Sequence, residues 1–303
     1  MHSAISEDNH SGSSFRLTVG FATTGRADVL ARTVAHLERQ TRLPDRIIIS
    51  AISDADHEGA VTQKVPLEIL TTARGLTQQR NHIIDQCTAD DVLMFFDDDF
   101  VPCDDYLDEL EKLFVKNPDI VMATGKVLAD GILTEGLTFD EASQIAANGP
   151  TMQSDAITPV YNAYGCNMAV RCAALKEPLI RLDENLPLYS WWEDVDFSRL
   201  LAPYGRIVRA DSLCGVHMGV KSGRTPGQRL GYSQIVNPYY LVRKGTVAWN
   251  RAASQAVRNL LANTAKSLRP EPHIDRAGRL KGNLIGLWHI ATARADPKHI
   301  LNF

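Results

Sequence analysis

Residues 16–53, RLTVGFATTGRADVLARTVAHLERQTRLPDRIIISAIS, decide the fold. Arg16 to Ala22 is a short apolar run that reads as a buried strand, followed by a turn at Thr23–Thr24–Gly25. Val29, Leu30, Val34 and Leu37 then recur at helical spacing across residues 26–40. Pro44 breaks the chain before the β-branched run 46–53. Strand, helix and strand within about 40 residues is a βαβ unit, which implies parallel strands joined by right-handed crossovers.

The unit recurs downstream. Leu67 to Thr71 reads as a strand, 76–87 as a helix, and Asp91 to Phe96 as the most apolar strand of the chain, hence central and buried on both faces. Residues 104–116 form a further amphipathic helix and 120–128 a strand. The Gly-, Thr-, Asp- and Ala-rich stretch 129–160 reads as an irregular insertion. A helix is expected over 191–203, a short strand over 206–210, and two or three helices over 237–303, broken at Pro270 and Pro272.

Composition bounds the function. The 303 residues allow one large domain or two modest ones, with a sizeable core. The net charge of −4 lacks the global basic excess of a nucleic-acid-coating protein, so nucleic acid is not an expected partner. Cysteines at 87, 103, 166, 172 and 214 are odd in number and form no CxxC, which argues against a disulfide framework or structural zinc and fits a reducing cytosol. The polar start, MHSAISEDNHSGSSF, has no apolar h-region, and residues 1–14 read as a disordered tail. No uncharged apolar run reaches the 18 residues of a membrane span.

Chemistry concentrates at three places. FFDDDF (95–100) sets Asp97, Asp98 and Asp99 at the carboxyl end of the central strand, where open α/β sheets bind ligands. Adjacent carboxylates repel unless a partner neutralises them, and a hard divalent cation carrying substrate phosphates is such a partner. Alternation along an extended chain sends Asp97 and Asp99 to one side and Asp98 to the other. A solvated acidic turn is the plainer alternative. WWEDVDF (191–197) places Glu193 and Asp194 after Trp191 and Trp192 at a helix start. Acidic first turns simply suit the helix dipole, but tryptophans stack on sugars, and a carboxylate beside apolar rings can serve as a general base. His217, in GVHMG, precedes the basic KSGRTPGQR stretch with Lys221, Arg224 and Arg229. A cation-binding His beside such a loop suits a diphosphate; a solvated basic turn is the alternative. Arg80 and Asn81, in GLTQQRN (75–81), either reach a nucleotide or cap a helix, and Asp54 ends the second strand.

Taken in order, RLTVGFAT, RQTRLPDRIIIS, Asp54, GLTQQRN, FFDDDFVP, YGCNMAVRCAAL, WWEDVDFSRLLAPYG and GVHMG resemble the family 2 inverting glycosyltransferases of the GT-A fold, over roughly residues 16–245. The resemblance implies an α/β architecture with a mixed, mostly parallel sheet flanked by helices. It implies a catalytic domain over 15–236 and a helical C-terminal extension over 237–303. It gives Asp54, or its competitor Asp56, to the donor base, sets Arg80 near the nucleotide, and gives Asp97 and Asp98 to ribose or to support of the metal site. Thr23 takes the base- or ribose-contacting position, although the turn lacks the family's usual Thr-Tyr-Asn form. Asp99 and His217 would hold Mg²⁺ or Mn²⁺, Lys221 and Arg224 the diphosphate, and Trp191 and Trp192 the acceptor. Asp194 matches the catalytic base, with Glu193 its partner, and the loop 218–231 would close over the diphosphate.

The substrates so implied are a UDP or dTDP sugar and a glycan or lipid-linked acceptor. NPYYLVRKGT (237–246) and KGNLIG (281–286) resemble bacterial rhamnosyltransferase-like and galactofuranosyltransferase-like members that build surface polysaccharides. A cytoplasmic protein is expected. Arg243, Lys244, Arg251, Arg258 and Lys266 could meet anionic lipid at the inner face of the membrane, a solvated helix face and a homo-oligomer surface being alternatives. A nucleotidyltransferase and a sugar-nucleotide-binding protein without turnover are the rival functions.

Overall fold

The computed structural model describes residues 15–176, 179–221 and 226–303; the expected tail, 1–14, lies outside them. In chain order the elements are β1 (Arg16–Ala22), α1 (Ala27–His36), β2 (Arg46–Ala51), β3 (Leu67–Thr71), α2 (Leu76–Asp85), β4 (Asp91–Phe96), β5 (Phe100–Pro102), α3 (Tyr106–Lys116), β6 (Ile120–Asp130), α4 (Phe139–Asn148), β7 (Ile157–Pro159), β8 (Asn167–Arg171), α5 (Glu193–Leu201), β9 (Arg206–His217), α6 (Gly227–Lys244), α7 (Trp249–Ser267) and α8 (Arg276–Ala291). The strands form one sheet in the order β3-β2-β1-β4-β8-β6-β9-β5, with β7 paired to β9. β3, β2, β1 and β4 are mutually parallel; β8 runs against β4 and β6, and β5 and β7 run against β9, which is parallel to β6. The sheet is therefore mixed, with six of its nine strands pointing one way.

All six residues of β4 are buried. Val92, Met94 and Phe96 enter the core on one face of the sheet, and Leu93 and Phe95 enter the core on the other. The period-2 alternation of a strand thus serves two cores at once. The starts of β1 and β4 are pinned by Asp91, which accepts from Arg16 Nε (2.6 Å), Arg16 Nη2 (2.8 Å), Thr18 Oγ1 (3.0 Å) and Thr88 N (2.5 Å). Burial pushes the Asp91 carboxyl up, but these donors outweigh it and hold the pKa down at about 2.

Three expectations need correction. The stretch 129–160 is not wholly irregular: it contains α4, started by a capping box between Thr138 and Glu141, and the short β7. The strand expected over 206–210 runs on to His217, so His217 ends a strand rather than following one. YGCNMAVRCAAL contributes β8, the second neighbour of β4. The first C-terminal helix begins at Gly227, ahead of the expected 237 junction. It packs closely on α8: a Cβ on Gly282 would lie 2.1 Å from Gln228 O. A buried polar cluster ties α6, α7 and α8 together. Asn263 donates to Gln234 Oε1 (3.0 Å) and Asn283 Oδ1 (2.9 Å) and accepts from Arg276 Nη1 (3.1 Å). Among the described residues no helix is long and apolar enough to cross a membrane.

Candidate active site

β4 delivers the three aspartates to the carboxyl end of the sheet, and they separate. Asp97 and Asp99 face a cleft, whereas Asp98 turns towards β1. Asp98 is buried, accepts from Thr23 Oγ1 (2.8 Å) and lies 3.0 Å from Arg26 Nη1. Burial raises its pKa to about 7 against the pull of Arg26. Arg26, which sequence reasoning did not select, also reaches Asp99 (3.3 Å) and lines the cleft.

His217 meets Asp99 because of strand register. The last residues of β6 and β9, Asp130 and His217, are partners across the ladder, and His217 also pairs with Phe100 just beyond the triad. Its Nδ1 lies 2.9 Å from Asp130 Oδ1, which leaves Nε2 aimed at Asp99 Oδ1, 3.5 Å away. Tyr164 Oη donates to the other Asp130 oxygen (3.0 Å). Burial would lower the His217 pKa, but Asp130 and Asp99 outweigh it and raise it to about 10. Burial pushes Asp99 up; His217, Arg26 and the Val220 N–H (2.8 Å) hold it down at about 2. One ligand atom each from Asp97, Asp99 and His217 lie within 4.8 Å of one another. Two hard carboxylates and an imidazole whose second nitrogen is fixed by a carboxylate form a donor set suited to a divalent cation.

The second acidic group is carried by α5. A strap leads into it in which Leu188 (φ 59°), Ser190 (φ 54°) and Trp192 (φ 73°) are all left-handed, a conformation that costs a non-glycine residue about 1 kcal/mol or more. Bonds from Glu193 N to Ser190 O (2.8 Å) and from Leu76 N to Leu188 O (3.0 Å) hold the strap. Arg80, 2% exposed, reaches from α2 to both acidic groups. Its Nη1 lies 2.5 Å from Glu193 Oε1, and its Nη2 donates to Asp97 Oδ1 (2.9 Å) and Gly165 O (2.8 Å). The joint is tight, since a Cβ at Gly165 would sit 3.2 Å from Glu193 Oε1 and displace it by a few tenths of an ångström. Asp194 accepts from Val195 N (2.8 Å) and Gly165 N (3.2 Å), and burial still raises its pKa. Burial likewise raises Glu193, opposed by Arg80.

These groups line one cleft of about 670 Å³ together with Arg26, Tyr161, Trp191 and Trp192, and residues of α6, α7 and α8 close the far wall. Arg26 Nε, Glu193 Oε2 and Trp191 Nε1 are buried there without hydrogen-bond partners among the described residues. The other expected residues lie elsewhere. Asp56 is taken up by Gly25 N (2.5 Å), Ser53 N (2.9 Å) and Ser53 Oγ (2.8 Å), and Asp54 is fully exposed beside His57. Asn81 braces residues 182–184. Lys221 donates to the carbonyls of Gly131 (2.8 Å) and Ile132 (3.2 Å), and Arg229 to Phe303 O (2.6 Å). Arg224 lies outside the described residues. The cations expected to share one lipid-facing surface are divided: Lys244 pairs with Asp183 and Asp196, Lys266 with Glu271, and Arg251 and Arg258 line the cleft.

The sequence profile described as glycosyl transferase family 2 matches residues 18–177, over half of the chain. A comparison with curated protein sequences gives no match. Solved structures share the fold at low identity. S. aureus TarS 1–349 in complex with UDP-GlcNAc is 15% identical over 94% of this chain and 82% of its own, with a TM-score of 0.55. The mannosyltransferase PcManGT from Pyrobaculum calidifontis, in complex with GDP-Man and Mn²⁺, is 16% identical over 90% and 87%, with a TM-score of 0.52. GalNAc-T7 with UDP, GalNAc and Mn²⁺ is 15% identical over 95% of this chain but 57% of its own, with a TM-score of 0.55.

Proposed function

The chain belongs to glycosyl transferase family 2, and from that premise we propose that it moves a sugar, with inversion, from a nucleotide-diphosphate donor to a hydroxyl of a glycan or lipid-linked acceptor. The observation that carries the proposal is the meeting of Asp97, Asp99, His217 and Asp194 in one cleft, coupled through Arg80 and Glu193. In this reading Asp97, Asp99 and His217 hold Mg²⁺ or Mn²⁺; the imidazole favours Mn²⁺. When bound, the cation acts as a Lewis acid on the donor's diphosphate. Asp130 orients His217, and Arg26 and Asp98 support the turn beneath the nucleotide. Trp191 and Trp192 stack on the acceptor sugar. Asp194 takes the proton of the acceptor hydroxyl as its oxygen attacks the anomeric carbon and the bond to the leaving diphosphate breaks. Its raised pKa suits that task, and one displacement inverts the centre without a covalent enzyme intermediate. Thr23, Asp54, Lys221 and Arg224 remain donor-side candidates.

The chain through β9 acts as the catalytic domain and the helices from Gly227 onwards as a helical extension, in a protein of the cytoplasmic membrane face engaged in surface-polysaccharide synthesis. The resemblance of 237–246 to such enzymes supports this role. Outside the cleft lining and the Glu271 pairs, Arg269, Lys281, Arg294 and Lys298 are exposed in residues 249–303 alongside Trp249, Val257, Leu261, Leu284 and Trp288, a combination suited to an anionic lipid surface.

The test is Asp194→Asn. Transfer falls by about 10²–10⁴-fold while nucleotide-induced thermal stabilisation in Mn²⁺ is retained. Near-normal turnover removes Asp194 as the base. A panel of UDP, dTDP, GDP and CDP with Mn²⁺, Mg²⁺ or EDTA identifies the base, and a shift indifferent to EDTA removes the metal.

A further inference from the structure

The far wall of the cleft is basic. Helix α7 presents Arg251, Gln255 and Arg258 to it, at i, i+4 and i+7 and therefore on one helical face, and α8 adds Arg279. Trp191, Trp192 and Asp194 belong to the same cleft. The Arg251 guanidinium lies 3.8 Å from the centre of the Tyr161 ring, which Arg199 also approaches at 4.5 Å. A guanidinium stacked by its face still donates through its edge. Arg258 Nη2 donates to Ser254 Oγ (2.9 Å), one turn back. Among the described residues neither Arg251 nor Arg258 has a carboxylate partner, whereas Arg26 and Arg80, at the sheet end of the cleft, are each paired with two. Two guanidinium groups on one cleft-facing side of α7, neither with a carboxylate partner among the described residues, match a ligand of high negative charge density. Phosphate, which accepts bidentate hydrogen bonds from arginine, fits better than a neutral hydroxyl array.

We propose that Arg251 and Arg258, assisted by Arg279, bind a phosphoryl group carried by the acceptor, so that the acceptor is a phosphate- or diphosphate-linked saccharide. This rests on the transferase reading and specifies its acceptor class. The donor's diphosphate is assigned to the opposite end, beside Asp97, Asp99 and His217. The arginine wall is a positioning device: held by its phosphoryl group, the acceptor sugar lies against Trp191 and Trp192 with a hydroxyl towards Asp194.

The probe is inorganic pyrophosphate, titrated into the full chain in EDTA and followed calorimetrically. Wild type binds, and Arg251→Gln/Arg258→Gln weakens binding at least ten-fold, as does the exposed Arg258→Gln alone to a smaller degree. Arg269→Gln, outside the cleft lining, leaves affinity unchanged. No binding to wild type, or equal affinity in the double variant, overturns the proposal. In transfer assays with the same terminal sugar on a lipid-linked diphosphate and on a water-soluble glycosyl phosphate, the double variant raises KM for both at least ten-fold. A rise for the lipid-linked acceptor alone identifies the lipid-borne diphosphate as the source, and a rise for neither overturns the proposal. Nucleotide-induced stabilisation in Mn²⁺ separates the two readings. Its absence from wild type defeats the transferase reading while the pyrophosphate titration still reports on the wall. Its loss in the double variant assigns the wall to the donor and overturns the inference.

Discussion

Replacing Arg80 by methionine tests whether one buried cation holds the two acidic groups together. Methionine keeps the apolar stem and removes the guanidinium, whose central carbon lies 5.4 Å from the centre of the Phe95 ring. The Glu193 side chain is 6% exposed and that of Asp97 34%, so Glu193 bears most of the loss. Leaving one partner of a buried pair uncompensated costs about 3–5 kcal/mol, a large part of the roughly 5–15 kcal/mol that stabilises a typical folded domain. At roughly 2 °C per kcal/mol for a chain of this size, Tm falls by about 6–10 °C. Differential scanning calorimetry at pH 7.5 measures it. Adding Glu193→Gln to the variant removes the stranded charge and restores at least half of the lost Tm. A fall of less than about 2 °C, or a double variant no more stable than Arg80→Met, would refute the reasoning and reduce Arg80 to packing.

Asp91 contributes to the acid side of stability. Its folded pKa, about 2, lies below the unfolded value near 3.8, so its contribution of about 2 kcal/mol is complete above pH 4 and fades as pH falls towards 2. Asp91→Asn lowers Tm at pH 7 and flattens its fall between pH 4 and 2.5; an unchanged acid limb shows that other carboxylates control it. Gly165→Ala forces Glu193 and Arg80 apart by a few tenths of an ångström and lowers kcat roughly ten-fold with little change in Tm, since small misplacements in a site are costly; full activity would show that the joint yields. Asn263→Leu leaves Gln234 Oε1, Asn283 Oδ1 and Arg276 Nη1 without their Asn263 partner, costs about 2–4 kcal/mol and accelerates amide exchange in α6, α7 and α8 before the sheet; uniform acceleration would show one cooperative unit.

The parallel half of the sheet was legible because β1, β2 and β4 are apolar runs, and only burial on both faces explains such runs. β8 was not, because NMAVR has only three apolar residues, bounded by Asn167 and Arg171, and no helix of a βαβ unit leads into it. β9 was cut short at Asp211–Ser212, near the ladder irregularity opposite Gly125 and Lys126. The capping box of α4 was present in the sequence, but three of the five apolar residues of the helix are alanines, so its apolar stripe is weak and the Gly- and Thr-rich surroundings masked it. In the site, Asp97, Asp99, Glu193, Asp194 and His217 could be selected because their neighbours are distinctive. Asp130 could not, because its meeting with His217 depends on the register between β6 and β9. Arg251 and Arg258 appeared as outward cations because helical periodicity distinguishes a polar face from an apolar one but not a cleft from solvent.

The Arg80 joint also bears on how such a protein can diversify. Glu193, Gly165 and Asp97 come from three separate stretches of chain yet share one guanidinium, so displacing any of them disturbs the others. Substitutions there are tolerated together or not at all, which makes the floor of the cleft a poor place for stepwise change. The far wall is built from helices whose cleft-facing side chains can be exchanged singly, without moving a strand. New substrate preferences, natural or engineered, are therefore expected to accumulate in α6, α7 and α8 while the sheet end stays constant.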